Sequence, residues 1–269
     1  MTATPGRLVL LGHPVHHSLS PRFQNAALRA LGVPLCYEAL DVYPGALPQT
    51  VLSLVAGRAA GNVTVPHKPA FAALCDRRTP LAERVGAVNT FWVAEDGVLV
   101  GDNTDVGGFA ALAREAHGTL PRSCHVAVLG AGGAAAAVLA AIEQWEDTCV
   151  TLANRTRDRA ERLAARFPVV THIAGSAEYA VRDAAIVVNA TTVGAFDDAL
   201  PVPIDALRSG TVVLDLVYRP GGSPWVRAAA QHGLTARDGL SMLIEQGALA
   251  FERWLGVEAP RAVMREAVA

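Results

Sequence analysis

Val126-Ala-Val-Leu-Gly130-Ala-Gly-Gly-Ala-Ala-Ala-Ala-Val-Leu-Ala-Ala-Ile142 runs for 17 residues without a charge, and its reading decides the fold. A membrane span is one reading, but the run falls short of the roughly 20 residues a span needs and is rich in Ala rather than Leu. Gly130, Gly132 and Gly133 lie near its start and divide it into an apolar strand, a tight turn and an Ala-rich helix. Residues 130–135 then form a GxGxxA turn between strand and helix. In that placement backbone amides approach a pyrophosphate at the helix N-terminus, where the dipole favours an anion.

About 20 residues further on, an NAD-binding unit carries an acid for the ribose hydroxyls. Here Val150-Thr-Leu-Ala ends instead in Asn154-Arg-Thr-Arg-Asp-Arg159. An acid would repel a 2′-phosphate, whereas guanidiniums and a hydroxyl hold one by charge-assisted hydrogen bonds, so NADP is preferred over NAD. Arg157, Arg159, Arg162 and Arg166 also read as a solvated helix face, and for Arg162 and Arg166 that is sufficient. Residues 185–189 and 211–216 continue the unit as buried strands. Asn189-Ala-Thr-Thr-Val-Gly194 and Leu216-Val-Tyr218 fall at their ends, on the ligand edge of such a sheet. Tyr218 is either core packing or a phenol facing a cleft.

Upstream, residues 7–12, 37–42 and 62–65 read as strands separated by helices over 21–31 and 44–58, a βαβαβ rhythm that implies parallel pairing. Helical signals continue over 68–75 and 81–85. Residues 86–100 alternate and turn at Asp96-Gly97, a hairpin signal, before Gly101-Asp-Asn-Thr-Asp105 opens a helix to about His117. The pattern restarts after Pro121, so this segment reads as the seam between two domains. A long helix over 240–255, apolar at 240, 243, 244, 251 and 254, comes last. Gln246 within it is either an exposed filler or a ligand contact.

The third strand runs into Asn62-Val-Thr-Val-Pro-His-Lys68, and Lys68 is the only lysine among 23 basic residues. Arg stays protonated in any protein setting, while Lys can give and take a proton. The carboxyl end of a strand is also where open α/β sheets place ligands. The alternative is a compositional bias toward Arg that left one surface Lys. Asp105 reads either as a helix cap or as a carboxylate that orients substrate and partners Lys68. In the loop His13-Pro-Val-His-His-Ser-Leu-Ser20, Ser20 before Pro21 is sufficient as an N-cap. Ser18 is left as the group for a hydroxylated or carboxylated ligand. His13, His16 and His17 invite a metal, but no nearby carboxylate or Cys completes a site, and none is expected.

At 269 residues and 51% hydrophobic content the chain has ample core for one large or two ordinary domains. A net charge of -2 provides no positive field for nucleic acid or anionic lipid. Cys36, Cys75, Cys124 and Cys149 show no CxxC or metal spacing and read as buried thiols of a reducing compartment. The first residues lack a signal-peptide pattern, so the cytoplasm is expected. A small-molecule substrate is the expected partner, with no membrane and no nucleic acid, for a monomer or homodimer.

The motifs Ser18-Leu-Ser-Pro21, Asn62-Val-Thr-Val-Pro-His-Lys68, Gly86-Ala-Val-Asn-Thr90, Gly101-Asp-Asn-Thr-Asp105, Gly130-Ala-Gly-Gly-Ala134, Asn154-Arg-Thr156 and Gln246-Gly-Ala resemble the shikimate dehydrogenase family nearly end to end. The resemblance implies an α/β fold with a discontinuous substrate-binding and catalytic domain, residues 1–105 and 238–269, and a Rossmann-type NADP-binding domain, 106–237. It implies NADPH-dependent reduction of 3-dehydroshikimate to shikimate, a step toward chorismate and the aromatic amino acids. Carried across, Lys68 and Asp105 are the catalytic pair, and Ser18, Ser20, Thr64, Asn89, Tyr218 and Gln246 join them in binding substrate. Gly130, Ala131, Gly132, Gly133, Ala134, Asn154, Arg155, Thr156 and Arg159 hold NADP, with Leu216 and Gly239 near the nicotinamide. Gln24, Ala136 and Ser223 depart from the usual His, basic residue and Thr. A quinate/shikimate dehydrogenase of dual specificity and a non-catalytic NADP-binding regulator remain as alternatives.

Overall fold

The computed structural model describes residues 4–269, so the expectation about the first residues lies in part outside it. The chain divides into two compact units, one made of the residues up to Asp105 with Leu243–Ala269, the other of Val106–Met242. In chain order the first unit carries β1 (Arg7–Gly12), α1 (Ser20–Ala30), β2 (Tyr37–Asp41), α2 (Leu47–Ala56), β3 (Ala59–Val63), α3 (Lys68–Leu74), β4 (Arg77–Arg78), α4 (Pro80–Val85), β5 (Thr90–Val93) and β6 (Leu99–Asp102). With α5 (Asp105–His117) the chain enters the second unit, which carries β7 (His125–Leu129), α6 (Gly133–Ile142), β8 (Cys149–Ala153), α7 (Arg157–Ala164), β9 (Val170–Ile173), α8 (Ala177–Val181), β10 (Ile186–Asn189), β11 (Val212–Asp215), α9 (Pro224–Gln231) and β12 (Ala236–Arg237). It returns to the first unit through α10 (Leu240–Leu255) and ends in α11 (Arg261–Glu266).

The first sheet has the order β2-β1-β3-β5-β6-β4. β1, β2 and β3 are parallel, as the βαβαβ rhythm requires, and β5 pairs antiparallel with both β3 and β6. The period of two along β1 sends its side chains to opposite faces. Leu8 and Leu10 join Phe23, Phe251, Trp254 and Met264, while Val9 and Leu11 join Leu47, Phe71 and Phe91. Burial of each such side chain contributes about 1.5–3 kcal/mol, so both faces are covered and α10 is held to the sheet. Trp254 also donates from Nε1 to Thr90 Oγ1 at 3.0 Å.

Three elements depart most from the sequence reading. The third strand is 59–63 rather than 62–65, because Ala-Ala-Gly has weak strand propensity and only pairing with β1 makes it extended. Gly86 starts no strand: at φ 67° it is the left-handed cap that ends α4. The helix expected over 44–58 begins as a 3-10 turn, Pro44–Ala46. The hairpin at Asp96-Gly97 is present, and Asp96 Oδ1 accepts the Val98 amide at 3.1 Å.

The second sheet has the order β12-β11-β10-β7-β8-β9, and every pair in it is parallel. Counted from β7 as the first strand of the unit, this is the 3-2-1-4-5-6 winding of dinucleotide-binding sheets, so the Rossmann-type expectation is met. β7 is central, and residues 135–142 of α6 are all buried. That explains the charge-free stretch without a membrane. Among the described residues no helix is long and apolar enough to cross one.

Candidate active site

Four side chains converge in the first unit. β3 ends at Val63, and Pro66 and His67 lead into α3, whose first residue is Lys68. Its Nζ donates to Asp105 Oδ2 at 2.6 Å, with the two side chains only 18% and 8% exposed. Asp105 Oδ1 accepts from Asn89 Nδ2 at 2.8 Å, and the same amide group lies 3.1 Å from Gln246 Oε1. Asn89 Oδ1 accepts the Thr104 amide at 2.7 Å, and the Asn89 carbonyl accepts the Val63 amide at 2.8 Å. A buried amide thus fixes the carboxylate and the carboxamide together. Asp105 does not spend its side chain on a helix cap: Asn103 Oδ1 accepts the Asp105 amide at 3.2 Å. Its carboxylate is free for Lys68, whose Nζ has no second protein acceptor among the described residues. Two ammonium protons are therefore left for a ligand oxygen.

Ser18, Ser20 and Thr64 sit after β1 and β3, at the carboxyl ends of neighbouring parallel strands. None of them bonds to the Lys68 cluster. The Thr64 amide donates to the Leu11 carbonyl at 2.8 Å, and Thr64 is half-buried. The helix cap expected of the Ser20 side chain is not made. Leu19 occupies the cap position of α1, the helix already includes Ser20, and Ser18 Oγ accepts the Ser20 amide at 3.2 Å. Ser20 is buried with its hydroxyl released from capping. His13 has a carboxylate neighbour after all, Asp41 at 2.8 Å, yet among the described residues no three metal-binding side chains cluster. The cysteines are not buried either: Cys36 is exposed and the other three are half-buried, with burial pushing the Cys75 thiol up to about 12.

The second unit presents its groups at the carboxyl ends of β7, β8, β10 and β11. Gly130 has φ +114°, and a Cβ there would lie 2.8 Å from the Ala190 carbonyl oxygen, so the turn admits only glycine. Gly132 precedes α6 with no side-chain cap, and the space where its Cβ would stand is open. The first-turn amides of α6 are thus available to an anion. Asn154 Nδ2 donates to the Thr156 carbonyl at 2.8 Å and shapes the next loop. Arg157 pairs with Glu161 at 2.8 Å, while Arg155, Thr156 and Arg159 are exposed with no ion pair to Arg155 or Arg159 among the described residues. These groups fit NADP: amides for the pyrophosphate and two unneutralised cations with a hydroxyl for the 2′-phosphate. Gly239 and Leu216 touch, since a Cβ on Gly239 would lie 2.2 Å from the Leu216 carbonyl oxygen. Tyr218 belongs to this second unit, while the rest of the expected substrate set belongs to the first, and burial raises its phenol.

Asp215 ends β11, and burial pushes its carboxyl from 3.8 up to about 6, against the bonds from Ser223, Val217 and Asn189 and with help from Asp238. The folded state therefore binds more protons than the unfolded chain between about pH 4 and 6, and stability contributed at this position falls as pH rises through that window. Urea unfolding at about pH 4.5 and 7 should show wild type losing ground to Asp215→Asn on going up. A stability difference independent of pH would refute the shift.

Models for three domains match the chain: the shikimate dehydrogenase substrate binding domain over residues 10–91, shikimate / quinate 5-dehydrogenase over 111–195 and the shikimate 5'-dehydrogenase C-terminal domain over 239–269. The shikimate dehydrogenase (NADP(+)) of Rubrobacter xylanophilus is 46% identical, covering 96% of this chain and 94% of its own. That of Moorella thermoacetica is 43% identical over 97% and 92%. The chain belongs to the shikimate dehydrogenase family. Among solved members of that family, the Thermus thermophilus enzyme in complex with NADP(H) and shikimate superposes with a TM-score of 0.87 at 40% identity, covering 97% of each chain.

Within this shikimate dehydrogenase fold, residue-by-residue reading reached Lys68, Asp105 and the arginine cluster, whereas Asn89 entered only by resemblance. Thr104 and Asn103, which orient Asn89 and Asp105, lie in the Gly101–Asp105 motif but carry no role in either reading. Their only sequence signal is the run of small polar residues before α5. Two of the departures are accommodated. Ser223 both caps α9 and donates to Asp215, and buried Gln24 donates to the Gly247 carbonyl at 3.0 Å, leaving its Oε1 without a partner.

Proposed function

We propose that this chain catalyses the reversible NADPH-dependent reduction of 3-dehydroshikimate to shikimate, on the way to chorismate and the aromatic amino acids, in the cytoplasm and as a monomer or homodimer. The observation that carries the reading is the Lys68–Asp105 contact of 2.6 Å, braced by Asn89 and Gln246. Residues 1–105 with 238–269 bind substrate, and 106–237 bind NADP. Bound NADPH supplies a hydride. Reduction of the ketone leaves an alkoxide, and Lys68 Nζ gives it a proton as it forms. Asp105 keeps the ammonium in line and accepts from a substrate hydroxyl, a positioning and an electrostatic role together. Ser18, Ser20, Thr64, Asn89, Tyr218 and Gln246 complete the substrate shell. Gly130 to Ala134 hold the pyrophosphate, and Asn154, Arg155, Thr156 and Arg159 hold the 2′-phosphate.

A quinate/shikimate dehydrogenase of dual specificity is the second reading, favoured by the match over residues 111–195 to a model that names both substrates. Calorimetric titration of the full chain with shikimate should give one saturable site. Asn89→Ala, which removes the amide shared by Asp105 and Gln246, should weaken it about tenfold. Unchanged shikimate affinity in that variant, or tighter binding of quinate by the wild type, would displace this reading.

A further inference from the structure

Asp215 is 1% exposed, and two of its three bonds end on segments that border Leu216, those of Asn189 and Val217. Oδ1 accepts from Asn189 Nδ2 at 2.8 Å and from the Val217 amide at 3.0 Å; Oδ2 accepts from Ser223 Oγ at 2.6 Å. Asn189 passes the constraint on, because its Oδ1 accepts the amide and the hydroxyl of Thr191 at 3.0 and 2.6 Å. One carboxylate thereby ties together the ends of β10 and β11 and the start of α9.

Leu216 is pinned as a result. Its own amide donates to the Asn189 carbonyl at 2.9 Å, the next amide is held by Asp215, and the Val217 carbonyl accepts the Gly239 amide at 3.1 Å. Leu216 and Gly239 stand so close that the glycine has no room for a Cβ. Thr191 Cγ2 and the Ala190 carbonyl press in the same way on Gly130. A buried carboxylate opposes folding unless its bonds are satisfied, and here three donors satisfy it.

We propose that Asp215 is a positioning residue for the nicotinamide end of the cofactor, fixing the 216–217 backbone against Gly239 through the Asn189–Asp215–Ser223 bonds. This rests on the NADP-dependent dehydrogenase reading above, in which Leu216 and Gly239 stand near the nicotinamide. Asp215→Asn keeps the volume and one acceptor but sets an amide against the Ser223 hydroxyl. In the full chain it should raise KM for NADPH about tenfold and lower kcat about tenfold, with KM for 3-dehydroshikimate within about twofold. The discriminating probe is 2′,5′-ADP, which carries the 2′-phosphate and no nicotinamide: its Kd should be the same in variant and wild type.

Equal weakening of NADPH and 2′,5′-ADP would make Asp215 a general support of the unit and overturn the proposal. NADPH parameters that do not move would overturn it as well. Should the variant not fold, Ser223→Ala removes one donor to Asp215 together with the α9 cap and must show the same split between the two probes at smaller amplitude; no split would overturn the proposal. A wild-type chain that binds neither probe would instead sink the dehydrogenase reading, so the two failures are distinguishable.

Discussion

Lys68→Arg is expected to lose about three orders of magnitude in kcat while KM for shikimate stays within about threefold. Positive charge and the pairing with Asp105 survive the change, so ground-state binding is largely kept. Proton transfer is not, because a guanidinium does not release its proton to an alkoxide in step with hydride transfer, and general acid catalysis contributes about 10²–10⁴-fold. The contact that Lys68 Nζ makes at 2.6 Å with Asp105, inside a cluster where Asn89 immobilises the carboxylate, leaves the substituted side chain little freedom to find another arrangement. Steady-state kinetics in both directions check this. Near-normal turnover would remove Lys68 from the role of acid.

Arg155→Ala is expected to raise KM for NADPH by about 10–100-fold and to leave that for NADH within about twofold. Arg155 and Arg159 have no protein carboxylate to neutralise them among the described residues, unlike Arg157 with Glu161, so their charge is available to a 2′-phosphate. Charge-assisted hydrogen bonds of this type contribute about 1.5–3 kcal/mol each. The ratio of the two KM values in variant and wild type is the readout. Equal rises for both cofactors would discredit the phosphate clamp, since NADH has no 2′-phosphate to lose.

The parts of this fold that sequence made legible are those whose signal is local. A glycine turn between an apolar strand and an Ala-rich helix has one economical reading, and a solitary lysine after a strand stands out by chemistry alone. What stayed hidden is tertiary. Asn89 and Gln246 lie 157 positions apart in sequence and 3.1 Å apart in space, and no periodicity joins them. β4 has two residues, too few to show alternation. β9, on the sheet edge with exposed Thr171 and His172, lacks the apolar face that marks a strand.

The move of the α1 cap position from Ser20 to Leu19 has the same origin. Cap identity turns on whether the backbone enters its helical conformation at residue 19 or 20, a difference of one residue that composition does not encode. Asp215 offers a further case, since an acid at a strand end reads as an ordinary turn residue until its three donors are seen.

The chemistry assigned to Lys68, to Asp105 and to the arginine loop stands or falls on one assay: purified chain with shikimate and NADP+, followed by the near-ultraviolet absorbance of NADPH, beside parallel reactions with quinate and with NAD+. Steady formation of NADPH from shikimate, much faster than with either substitute, is the predicted result. A folded chain that binds both ligands and yet forms no NADPH would contradict it.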